Sequence, residues 1–208
     1  MAGVAITAGA GTVIAMDKVG TSTEPATDER LQYVKLDRGI GGSSDPVDAN
    51  SPLPIGQKID WIQVTLSLDT NAYASGDLLA DAQVITSASL ASGQPVELVS
   101  ILVVDEDDQG TAIDIYITSD SSSWGTENST PSISDAVARS IQAYIPIAAG
   151  DFKDLGGVRV AQPRVAQNIG VICEPSGSAN LYIAALCASG TPTYTASGVR
   201  VNLGFRQT

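Results

Sequence analysis

The sequence predicts an all-β protein: an antiparallel β-sandwich, jelly-roll-like, preceded by an extended N-terminal arm. Three observations predict it. Short stretches alternate apolar and polar residues with period two, the spacing of a half-buried strand. Clusters of Gly, Pro, Ser, Asn and Asp separate these stretches at short intervals. The chain is 43% hydrophobic, 16% charged and only 5% aromatic, a mix suited to tight aliphatic packing and unlike that of a disordered chain.

Residues 1–57 form the predicted arm and linker. They are rich in Gly, Ser, Thr and Asp, and Pro52-Leu53-Pro54 with Gly56 mark the junction with the sandwich. Their apolar residues are too few and too scattered to fill a core. One stretch alternates well, Leu31-Gln32-Tyr33-Val34-Lys35-Leu36. Leu31, Tyr33, Val34, Lys35 and Leu36 are therefore read as a partner-binding strand, since an extended segment can add to the sheet edge of another protein. The plain alternative is a terminus that binds nothing. The glycine-rich runs Gly9-Ala10-Gly11 and Gly39-Ile40-Gly41-Gly42 lack the helix and lysine of a phosphate-binding loop.

Residues 58–208 are predicted to be the sandwich. In residues 61–68, Ile62, Val64, Leu66 and Leu68 share one face. Further strands are predicted at 84–87, 98–104, 113–118, 141–147, 158–160, 169–173, 181–187 and 199–206. Among these, Ile113 and Ile115, and Val201, Leu203 and Phe205, are expected in the core. Runs 98–104 and 181–187 are apolar on both faces, so each needs a cover on both sides: a second sheet, and either a neighbouring copy or the arm. A short helix is predicted over 134–139, with Ser132 or Ser134 as its N-cap.

The missing residue types exclude several function classes. There is no histidine, which removes Ser-His-Asp and Cys-His catalysis and the usual zinc sites. The formal net charge is −12, from 11 basic and 23 acidic residues, a surface that repels phosphate backbones, so no nucleic-acid partner is expected. No stretch is apolar enough to span a bilayer, and no membrane partner is expected. The first fifteen residues lack the positive region of a secretory signal, so assembly in a cytoplasm is expected. Cys173 and Cys187 flank Pro175-Ser176-Gly177-Ser178. Read as a hairpin, that turn sets Cys173 opposite a residue near Tyr182, out of disulfide reach of Cys187. Two buried, reduced thiols are expected.

The acidic run Asp105, Glu106, Asp107, Asp108 invites a Ca²⁺ reading, with Asp105, Asp107 and Asp108 as candidate ligands, because calcium takes six to eight oxygens. The spacing does not match an EF-hand loop, and a solvated acidic turn between strands is the main reading; no cofactor is otherwise expected. Paired carboxylates also serve glycosidases, but those need an aromatic-lined cleft, and this chain has two Trp and two Phe. Ser121-Ser122-Ser123 has no base to activate it. No catalytic or cofactor-binding residue is expected.

Four phrases resemble structural proteins of tailed-bacteriophage particles. They are Asp69-Thr70-Asn71-Ala72-Tyr73-Ala74-Ser75-Gly76-Asp77-Leu78-Leu79-Ala80; residues 103–114 around Asp105-Glu106-Asp107-Asp108; Gly190-Thr191-Pro192-Thr193-Tyr194-Thr195-Ala196-Ser197-Gly198; and, in the arm, Tyr33-Val34-Lys35-Leu36-Asp37-Arg38-Gly39 followed by Pro52-Leu53-Pro54-Ile55. The resemblance implies a non-enzymatic virion component of the decoration or cement kind. It would bind the major capsid protein or another virion protein, as a homo-oligomer with a trimer favoured. A tail- or baseplate-associated adaptor or host-adhesion module is the alternative. Acidic charge favours the head surface, and the scarcity of aromatics disfavours a receptor-binding tip.

Overall fold

The computed structural model describes residues 58–163 and 170–207. The arm, with Leu31, Tyr33, Val34, Lys35 and Leu36, lies outside the described residues. Ten strands, one short α-helix and one 3-10 turn (Ala149–Asp151, between β5 and β6) follow in order among the described residues: β1 Lys58–Thr65, β2 Leu78–Ile85, β3 Val96–Asp105, β4 Ile113–Thr118, α1 Asp135–Arg139, β5 Ile141–Ile147, β6 Phe152–Asp154, β7 Arg159–Ala161, β8 Val171–Cys173, β9 Leu181–Cys187 and β10 Val199–Gln207.

Two antiparallel sheets result, as the alternating patterns require. One has the order β1-β10-β3-β7-β6, with β8 also on β3; the other is β2-β9-β4-β5. β7 pairs with the Val103–Asp105 end of β3 and β8 with its Val96–Leu98 end, so the two act as one interrupted strand. Counted that way, the successive pairs are β1 with β10, β2 with β9, β3 with β7 and β8, and β4 with β5. These nested pairs, shared between two facing sheets, are the plan of a jelly roll.

The core fills the space between the sheets. Leu98, Ile101, Val103, Val201, Leu203 and Phe205 meet Ile85, Ile115, Ile117, Ile145 and Ile183 there, each worth about 1.5–3 kcal/mol when fully removed from water. The expected inward residues Val64, Leu66, Ile113, Ile115, Val201, Leu203 and Phe205 are buried, and Ile62 is partly buried against them. α1 begins at Ser134, whose hydroxyl accepts from the Val137 amide at 3.3 Å.

Three expectations change. The run 174–180 is not a hairpin: β8 pairs with β3 in one sheet, while β9 lies between β2 and β4 in the other. Both thiols are nonetheless free and buried. β2 begins well before residue 84, where two register shifts against β9 break the period that would have revealed it. And the outer face of β9 needs neither a neighbour nor the arm. Leu78, Trp124, Val137 and Ala184 form a second cluster there with Tyr116, Ile133 and Ile141, so the excursion between β4 and β5 covers its own sheet.

Candidate functional site: the loop end of the sandwich

Four connections meet at one end of the sandwich: residues 66–77, 106–112, 148–158 and 188–198. The register dictates this, since Thr65 lies beside Arg200, Val199 beside Asp105, Asp105 beside Arg159, and Ile113 beside both Cys187 and Ile147. Residues 69–80, 103–114 and 190–198, far apart in sequence, are therefore neighbours in space.

They are bonded to one another. The Tyr73 amide donates to the Pro192 carbonyl at 2.9 Å, the Leu68 amide to Ala196 at 3.1 Å, the Glu106 amide to Gly198 at 2.7 Å and the Ala188 amide to Ala112 at 2.9 Å. Tyr73 and Tyr194 are both buried and meet edge to face, with centroids 6.2 Å apart. The Tyr73 hydroxyl donates to the Leu79 carbonyl at 3.1 Å and accepts from the Asp69 amide at 2.6 Å. The Tyr194 hydroxyl pairs with that of Thr111 at 2.9 Å. Burial pushes Tyr73 up to about 12 and raises Tyr194 as well, so both stay neutral structural pins at physiological pH.

The acidic run is dispersed among these contacts. Asp105 is fully buried, and its carboxylate accepts from the Gly110 amide at 2.6 Å and the Asp107 amide at 3.1 Å. Burial raises its pKa, and the backbone donors only partly oppose this. Asp107 instead reaches the next loop, accepting from the Thr195 amide at 2.7 Å and its hydroxyl at 3.0 Å. Asp108, held at φ 58°, accepts from the Arg159 guanidinium at 2.6 Å. Glu106 pairs with Arg200 at 2.7 Å.

Each candidate Ca²⁺ ligand thus has its own protein partner. Among the described residues no three His, Cys, Asp or Glu side chains gather as a metal site would require. The acidic turn expected from sequence is present, but as a clamp: its side chains point into neighbouring loops as much as into water. Sequence reasoning missed Gly198, Thr195 and Arg159, the partners that give the acidic run its role. The signal available for Thr195 and Gly198 was only their place in residues 190–198, and Arg159 carried none.

No family model matches the chain, and no curated protein matches it. Among solved structures, one of Desmodium yellow mottle tymovirus is similar with a TM-score of 0.24 and 11% identity, over 85% of this chain and 95% of that one. A structure of infectious bursal disease virus, Gx strain, is similar with a TM-score of 0.18 and 12% identity, over 84% of this chain and 42% of that one.

Proposed function

We propose that this is a non-enzymatic structural protein of a tailed-phage virion, a decoration or cement protein that binds the major capsid protein on the outer surface of the head. The observation that carries the reading is the convergence of three phage-like phrases at one end of a jelly roll. Residues that share a chemical task come together in space. Here those that come together are bonded to each other by carboxylate-amide, tyrosine-threonine and ion-pair contacts, which make a stiff platform rather than a reactive cleft. Jelly rolls serve viral shells but also lectins and cupins, so the phrases, and not the fold, choose among them. The reading extends to assembly in the host cytoplasm as a homo-oligomer, with a trimer favoured.

One observation favours a tail-associated adhesion module as the second reading. Tyr144, Tyr116 and Trp124 lie in a row of mutually tilted rings with successive centroids 5.1 Å apart; Trp124 is buried at one end and Tyr144 is exposed at the other, on the small sheet. An exposed tyrosine backed by two further rings suits a sugar or receptor. Purified protein mixed with separated heads and tails of the parent particle decides between the two. Saturable binding to heads supports the decoration reading, and binding confined to tails or host envelope supports the second.

A further inference from the structure

The two long sides of the sandwich are built differently. On one side, β5 and the end of β8 are stitched across the gap. The Gln142 side-chain amide donates to the Glu174 carbonyl at 2.8 Å, and the Glu174 amide donates back to the Gln142 side chain at 2.7 Å. On the other side, β1 and β2 are the outer strands of their sheets. Between them lies a cleft of about 410 Å³ lined by residues 62–65 and by Gln83, Val84 and Thr86.

The first half of β2 is shielded along that side. The Leu78 amide donates to Ser129 at 2.8 Å, the Asn128 amide to Leu78 at 2.9 Å and the Trp124 amide to the Asp81 carboxylate at 2.6 Å. Bulges irregularise the same stretch. Among the described residues β1 has no such cover. Among them it pairs with β10 alone, and after the Lys58–Asp60 ion pair it carries no charge, proline or bulge to blunt its edge. Trp61 stands 60% exposed on its outer face, above Gly204, where the absence of a side chain leaves room for the indole. Ile62, Val64 and Val84 make the cleft apolar.

An open edge of regular backbone beside an apolar cleft is the acceptor geometry for an added strand. The chain itself supplies a segment of matching sequence pattern outside the described residues, Leu31-Gln32-Tyr33-Val34-Lys35-Leu36. We propose that the free edge of β1 and the cleft beside it receive residues 31–36 of a second copy of the protein. Val34 and Leu36 then face Ile62, Val64 and Val84, and Tyr33, on the opposite side of the strand, lies along Trp61.

A second copy is favoured over the same chain by the length of the connection. Residues 37–57 intervene before β1, whereas a strand returning on its own neighbour needs a loop of only about 2–5 residues. At about 3.3 Å per residue the connection reaches about 70 Å, enough to cross to an adjacent subunit. The inference rests on reading residues 31–36 as a partner-binding strand, and it adds the surface that strand would occupy.

The test uses the full-length protein with the photoreactive benzoyl-phenylalanine at position 33 in place of Tyr33. Isotopically light and heavy preparations are unfolded, mixed at equal amounts, refolded together, irradiated and mapped by mass spectrometry. The expected result is crosslinks from position 33 to residues 61–65 or 83–86, with light-heavy pairs making up half of them. Crosslinks only within one isotope class would show the strand folding back on its own chain, overturning the proposal. Crosslinks elsewhere, or none at any concentration, would overturn the assignment of the cleft. Neither failure bears on whether the protein binds phage heads, which the particle-binding experiment reads separately.

Discussion

Asp107 and Gly198 are complementary in space: a Cβ atom built at Gly198 would lie 1.7 Å from an oxygen of the Asp107 carboxylate. The glycine is what lets the acidic loop reach Thr195 and close the end of the sandwich. Gly198→Ala should therefore cost about 1–3 kcal/mol, the usual penalty of overpacking. Asp107→Ala should remove most of that penalty in a double-mutant cycle, because the clash disappears with the carboxylate. Additive costs in denaturant titrations would refute the pairing.

Asp105 should leave a pH signature. Its native pKa is raised by burial above the ordinary value of about 3.9. From about pH 4 up to the raised native value, the folded state holds a proton that the unfolded state has released, so this group's contribution falls as pH rises. Asp105→Asn removes that titration. The unfolding free energy of wild type minus variant should fall with increasing pH from about 4, then level off. A difference that climbs across the same range would count against it.

Cys173 and Cys187 should be silent toward thiol reagents in the native protein. Both are buried, and burial pushes the Cys173 thiol up to about 12, leaving almost no thiolate at neutral pH. Labelling should proceed only as fast as the sandwich opens, and denaturant should accelerate both sites together. Prompt reaction of either thiol in buffer would contradict the packing described.

Trp61 is exposed where a strand-adding partner would sit, so Trp61→Lys should separate folding from association. Thermal stability should stay within about 1 kcal/mol of wild type, as for most surface changes, while light scattering shifts toward the monomer. Unchanged association would remove Trp61 from the interface.

Deletion of residues 1–50 should leave the sandwich folded, as judged by circular dichroism and a cooperative melt, and should abolish incorporation into particles. Full occupancy of particles by the truncated protein would mean that the arm has no part in assembly. Loss of folding would mean that it belongs to the core.

The legible parts of this fold are those governed by local periodicity. β4 and β10 alternate without interruption, and their inward residues could be named from spacing alone; β1 could as well, apart from its exact ends. β2 escaped because bulges at Ala80 and Gln83 shift the inward face partway along. The misread turn at 174–180 had suitable hairpin chemistry, but turn chemistry does not say which sheet the next strand will join. The loop-end clamp was least legible of all. Asp105 and Asp107 look alike in the sequence, yet one is sealed in the interior and the other grips a loop 88 residues away, a distinction made only by non-local contacts.

The pairing of β1 with β10 also sets a timetable for synthesis. Gln63 of β1 bonds through its side chain to Asn202, 139 residues later in the chain. Until β10 has been translated, β1 has no sheet to belong to, and folding dominated by such distant partners is slow. The nascent chain therefore carries residues 31–36 long before any finished β1 edge exists on the same ribosome. If that edge is the acceptor, only a completed molecule can receive a strand, whereas residues 31–36 can be donated by a chain whose synthesis is still under way.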